Sequence, residues 1–462
     1  MLAFDPELAD IRFGCGLSPI IAPPVSVAEM IGRLRGPDVM AARYPIENFE
    51  AFGARMKESH RLRVIQRNNR GKPKGEAARK ERNVLKGTTR QDQIRWLADT
   101  MLRRAHTPDG LRERLVYFWA DHFTAQGKAG VIKRATSPYI QSAIRPHVTG
   151  RFGDMLQAVA KAPLMLHYLD QHNSMGPNSD MGLRRKNKRG LNENLAREML
   201  ELHTLGVDGP YTQDDVRQLA ELLTGLTYDP QGGFKFRKEF VEPGAETVLG
   251  VSYGSDNAQL SDVLAALDDL ARHPATALHI ARKLAVHFVS DSPDADLVAH
   301  LAARFTETDG DLGAVSAALL EHPSSWGMDA PNIKQPIDFV GSAMRALAVA
   351  PDALPRDKEA RMRALFVVPM ALMGQQWQNP VGPDGWPEQD SAWITPQRLA
   401  ARLQWAMTVP SVLRQPLPDP REFVGHALGG RAPDEVRFAA SAAENREVGI
   451  ALILSSPAFQ RM

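Results

Sequence analysis

The chain has 462 residues, 43% of them hydrophobic and 24% charged, with a formal net charge of +2. These proportions are those of a soluble globular protein, and the near-neutral balance excludes a general preference for acidic partners, so any such preference has to come from local clustering. The single cysteine, Cys15, excludes an internal disulfide and a cysteine-rich metal site and fits a reducing compartment.

The opening segment, MLAFDPELADIRFGCGLSPIIAPPVSV, has no basic start, apolar run and small-residue cleavage site in succession, so no signal peptide is expected. No stretch approaches the roughly 18 uninterrupted apolar residues of a membrane span. The default location is cytoplasmic, with export alongside a partner left open.

Residues 55–90 carry thirteen Lys/Arg against three Glu and no aromatic residue. Such a block is a solvated helix or mobile insertion, or else an arm for nucleic acid or another polyanion. Without aromatic residues for base stacking the single-strand reading is weak, so nucleic acid is the less favoured partner.

From there helical periodicity dominates, near 92–105, 111–123, 153–169, 192–205, 212–225, 260–272, 275–290, 295–307, 312–321, 334–349, 357–375, 396–407 and 443–455. Helices repeatedly restart at a proline (APLML, HPATAL, HPSSW, SPAF), which a first helical turn tolerates because its N–H has no partner there. The only clear strand signals, 232–241 and 246–254, predict one short hairpin. The expected fold is all-α: a single irregular multi-helix bundle over 1–462, with a minor β-hairpin near 232–254.

The segment NENLAREMLELHTLGVDG (192–209) is the densest in chemistry. Asn192 is a candidate N-cap and Gly206 a candidate left-handed stop, so a helix is expected between them. Leu195, Met199, Leu200 and His203 share its apolar face, and Glu193, Arg197, Glu198 and Glu201 share the charged one. His203 is therefore expected in the core. A zinc helix needs two ligands one turn apart, and none is present here, so neither metal nor cofactor is expected. Thr212 with Asp215 predicts a capping box for the next helix. In the polar loop 171–190, Arg184, Arg185, Lys186, Lys188 and Arg189 precede the N-terminus of the helix that Asn192 starts, a combination able to hold an anion or simply to be solvated.

This αα-hairpin closely resembles the signature of a large bacterial family known as domain of unknown function 1800. LVYFWADHF (115–123), HPATALHIARKL (273–284), NIKQPIDFVGSAMRAL (332–347), QNPVGPDGWP (378–387) and the terminal LILSSPAFQRM are similar to family segments in family order, over essentially the whole chain. The resemblance implies that 55–90 is a variable insertion. It brings no established reaction, but it implies association with a sulfatase-like partner and export in many members. Motif residues retained here are Asn192, Glu193, Arg197, Glu198, Glu201, His273, Lys283, Lys334 and Trp386. Members commonly read FWHNHF where this chain has FWADHF, so Ala120 replaces one histidine and His122 remains.

His122 beside Asp121 could be an Asp-oriented general base or a packing histidine. His273 precedes Pro274 and has capping as its plain role, and Lys334 and Arg345 read as surface charges. Trp377, Trp386 and Trp393 lie in the Pro/Gly-rich loop 376–395, where they either stack on a sugar ring or fix the loop.

Three functions stay in play. The first is an accessory or binding protein for an anionic or carbohydrate-like ligand or a sulfatase-like partner, using Arg184, Arg185, Lys186, Lys188, Arg189, Asn192, Glu193, Arg197, Glu201, Lys334 and Trp386. The second is a hydrolase-type enzyme using His122, Glu193, Glu198 and His273. The third is a nucleic-acid-binding protein.

Overall fold

The computed structural model describes residues 4–184, 190–229, 233–327 and 331–462. Every periodic segment named above forms helix, and strand is confined to two two-stranded antiparallel sheets among the described residues. None of the described helices is long and apolar enough to cross a membrane.

Nine helices carry the argument. They are α1 (Phe49–Asn68), α2 (Pro73–His106), α3 (Gly110–His122), α4 (Asn194–Glu198), α5 (Gln213–Leu222), α6 (Pro274–Phe288), α7 (Pro336–Ala346), α8 (Pro396–Thr408) and α9 (Arg446–Ser455). The proline corners form as expected: Pro274 and Pro457 each start a helix behind an extended residue, His273 and Ser456. The basic block 55–90 lies on an antiparallel pair, α1 packed on α2.

Two hydrophobic cores lie on opposite sides of α2. Trp96 belongs to the first, with Phe13, Phe118, Trp119 and Phe288. Ile94, Leu97, Met101 and Ala105 belong to the second, with Phe339, Trp405 and Phe459. The seam between the cores holds α3 and α7, and it is stitched by buried charge. Arg104 pairs with Asp338, and Arg114 Nη1 lies 3.4 Å from the same Asp338 oxygen. Such pairing is what makes ionised groups tolerable in a dry interior.

Three local expectations need correction. The hairpin is in fact two hairpins. β1 (Leu226–Tyr228) pairs with β2 (Phe234–Phe236), and β3 (Ala245–Val248) pairs with β4 (Val251–Gly254), because each segment meets a nearer complement. The 192–205 helix begins two residues late and runs from α4 into a π-helical turn, Met199–His203. Asn192 Oδ1 still accepts from the Asn194 N–H at 2.9 Å. Lys334 and Arg345 are not surface charges but are 3% and 1% exposed. Periodicity around 334–349 cannot reveal this, because α7 is buried all round. By contrast, Gly206 takes φ +90°, His203 is buried, and the Thr212–Asp215 capping box forms.

Candidate functional site

Helix α6 presents His279, Lys283 and His287 four residues apart, hence on one face. That face meets α3, the π-helical turn after α4, and the loop following Gln375. The last residue of the row is held firmly. His287 Nδ1 lies 2.9 and 3.0 Å from the two Glu388 oxygens, while its Nε2 lies 3.4 Å from Arg114 Nη2. Burial holds His287 below the ordinary histidine range despite the carboxylate, so the neutral ring donates its Nδ1–H to Glu388. Burial would raise Glu388, but His287, Lys283 and Arg114 outweigh it and hold the carboxylate below its usual range.

An uncharged relay extends from this pair. Gln335 Nε2 donates to Glu388 at 3.4 Å, Tyr117 OH donates to Gln335 Oε1 at 2.8 Å, and Gln375 Nε2 reaches both Tyr117 OH and Gln335 Oε1 at 2.5 and 2.9 Å. Each member thereby fixes the next.

Asp121, four residues beyond Tyr117 on α3, behaves oppositely to Glu388. Burial and the neighbouring Glu388 push its carboxyl up to about 8, against the pull of Lys283 and of the Trp386 N–H. That N–H lies 3.1 Å from both Asp121 oxygens. Lys283 itself makes no hydrogen bond or ion pair among the described residues, and it is half-buried. A second carboxyl, Glu198, is pushed up to about 7 by burial and by Glu201 and Asp384. Two neighbouring carboxyls displaced in opposite directions are the usual arrangement of an acid beside an ionised stabiliser.

Asp121 opens onto a narrow cleft of about 90 Å³ between α2, α3 and the loop. Trp377, Trp386, Gln378 and Ser137 line it, as does Ala120. A histidine at 120, as in the FWHNHF pattern, would enter this cleft.

On the other side of Lys283 three neutral histidines gather. The His122 ring lies 6.1 Å from His203 and 6.2 Å from His279. Burial, with Lys283 close by, holds His203 near about 3 and His279 near about 4, and keeps His122 well below its ordinary range. Among the described residues no three His, Cys, Asp or Glu side chains meet as a metal site.

The candidates named from sequence scatter around this centre. Asp121 does not orient His122, because adjacent helical residues point about 100° apart: Asp121 faces the loop, and His122 sits on the His203 carbonyl at 3.2 Å. Glu198 does not line the cleft; its charged neighbours are Glu201, Asp384 and Arg197. Glu193, Arg197 and Glu201 form a half-exposed row at 3.2 Å per pair, closed by Gln213. Asn192 ties the preceding loop to the Leu169 carbonyl at 2.9 Å. His273 caps α6 through the Ala275 N–H at 3.1 Å, at the end away from His287. Lys334 lies sealed in the second core on the Phe459 carbonyl at 2.6 Å. Trp386 is half-buried at the cleft, whereas Trp393 is buried with its N–H on the Pro387 carbonyl. Arg184 ends a short exposed helix, and Arg185, Lys186, Lys188 and Arg189 lie outside the described residues.

The family model described as protein of unknown function (DUF1800) matches residues 33–461. The chain belongs to that family. No curated protein and no solved structure matches it.

In this DUF1800 chain the residues that sequence reasoning passed over are Glu388, His287, His279, Tyr117 and Gln335. The four-residue spacing in HIARKLAVHF was the signal for two of them. Glu388 gave none, because its role depends on a loop that returns to α3 and α6 only in three dimensions.

Proposed function

We propose that the chain is an acid–base hydrolase acting on a carbohydrate-like substrate in the Asp121 cleft. The observation that carries this reading is the placement of Asp121 at the cleft wall, with Trp386 beside it and Glu388 and the unpaired Lys283 behind. Trp377 and Trp386 supply ring faces of the kind on which sugars stack. In this reading the Asp121 carboxyl, protonated at neutral pH, gives its proton to the leaving oxygen as the C–O bond breaks. Ionised Glu388, behind the cleft wall, keeps Asp121 protonated until that transfer. Water then forms the new C–O bond and returns its proton to Asp121. Wild-type protein tested against a panel of nitrophenyl glycosides should hydrolyse at least one, and Asp121→Asn should lose at least about 100-fold in kcat while keeping the wild-type circular dichroism. No hydrolysis across the panel, or full activity in the variant, would sink the idea.

A second reading, a binding protein accessory to a sulfatase-like partner, is favoured by one surface. Helix α8 exposes Leu399, Leu403 and Met407 in a row, at 37%, 37% and 63%, and α9 packed against it exposes Leu452. Apolar rows of this kind mark interaction sites. Co-expression with a sulfatase-like protein should give a co-eluting complex that Met407→Glu disrupts, and separate elution would remove this reading.

A further inference from the structure

The tip of the α1–α2 hairpin is built to close tightly. A Cβ at Gly75 would stand 2.1 Å from the Asn69 carbonyl oxygen, so only glycine lets the first turn of α2 press on the end of α1. Gly71 takes φ +77° in the turn itself. The Lys72 N–H donates to that same Asn69 carbonyl at 3.0 Å.

This closure brings Arg63 and Arg67 of α1, Arg70 of the turn, and Arg79 and Arg82 of α2 around one open hollow of about 840 Å³. Glu76 is the single acidic residue lining it, and no Phe, Tyr or Trp does. None of the five arginines makes an ion pair among the described residues, whereas Arg61, outside the hollow, is paired with Glu58 at 2.7 Å. Like charges one turn apart repel one another, and an anion in the hollow would relieve that repulsion. The five arginines line one concavity from α1, the turn after it and α2 instead of following a single helix face. That geometry suits a compact ligand with several tetrahedral anionic groups, each able to take a bidentate contact.

We propose that this hollow binds a compact polyanion carrying closely spaced phosphate or sulfate groups. The site is independent of the Asp121 cleft. Calorimetric titration of the full chain at low salt with inorganic tripolyphosphate, and separately with sucrose octasulfate, tells the two sources apart. At least one should bind, and affinity should fall as salt rises. Arg67→Glu combined with Arg79→Glu should weaken binding by at least about 100-fold, a tenfold loss or more for each charged contact. Arg61→Ala should stay within about twofold. If the double reversal alters the circular dichroism, Arg67→Gln with Arg79→Gln replaces it, with the same loss expected in direction. Failure of both probes to bind, unchanged affinity in the altered protein, or tighter binding of short duplex DNA than of either probe would overturn the proposal.

Discussion

The backbone N–H of Trp386 stands 3.1 Å from each carboxylate oxygen of Asp121, joining the cleft loop to a helix 265 residues earlier in the chain. The contact is allowed by Gly385, which takes φ +82° and has no Cβ to collide with the carboxyl. The loop, the acid and the cleft wall are thus one unit.

Asp121→Asn tests the acid through pH as well as rate. A carboxyl raised to about 8 keeps its proton in the folded protein across a window where the unfolded chain has already lost it. The folded state then binds more protons, so its contribution to stability is fully present below about pH 4 and is lost as pH rises towards 8. Asparagine cannot titrate. The stability of Asp121→Asn relative to wild type should therefore improve between those limits, as read by urea denaturation. Parallel curves would show that Asp121 ionises normally. Hydrolysis by the wild type should decline on the alkaline side near about pH 8.

Gly385→Ala should destabilise by about 1–3 kcal/mol, because it forces a side chain into a left-handed conformation. The new Cβ would also stand 2.6 Å from Asp121 Oδ2, displacing the carboxyl or the loop. Denaturation gives the first effect. The second should appear as a larger fall in activity than Gly382→Ala causes in the same loop.

Much of this fold was legible because helix, unlike site geometry, is written in local spacing. Thr212 and Asp215 formed their box, Gly206 its left-handed stop, and His203 its place in the core. Those outcomes depend on neighbours within a turn or two. Arg345 is not legible as buried because α7 is buried on every side and offers no polar face to set it against, and Lys334 lies two residues before α7, where no helical period applies. The cleft was legible only in fragments, as Asp121, Lys283 and Trp386 in separate motifs. Their assembly depends on contacts between α3, α6 and the loop near 386, none of which leaves a periodic trace. The Glu193–Arg197–Glu201 row drew attention by charge density, and it is a half-exposed ladder of the kind that contributes little.

Removing His287 should expose how much Glu388 depends on it. His287→Ala leaves a carboxylate, 19% exposed, without its nearest donor. A loss of about 1–3 kcal/mol is expected by denaturation at neutral pH. His287→Gln, which keeps an N–H donor, should lose less. Glu388 is held below its usual range in the wild type, so the stability it brings is present above the unfolded carboxyl value and lost as pH falls through the folded one. In His287→Ala that acid-side loss should begin at higher pH. An unchanged acid profile would mean that Lys283 and Arg114 alone hold the carboxylate.

Lys334 makes the opposite prediction at alkaline pH. Burial, with Arg114 and Arg402 nearby, lowers its ammonium from the ordinary lysine value to about 7; Nζ donates to the Phe459 carbonyl and lies 4.0 Å from the centre of the Phe459 ring. Between about pH 7 and 10 the unfolded chain holds a proton that the folded one has released. Stability should therefore rise with pH across that window, by up to about 1.4 kcal/mol per pH unit from this group. Lys334→Met keeps an unbranched side chain beside the Phe459 ring and removes the titration. Urea denaturation through the same window should show the wild type gaining on the variant as pH rises, with the variant the more stable of the two at the neutral end. A constant difference between the two proteins would show that the buried amine keeps its proton and is stabilised by the carbonyl and the aromatic face alone.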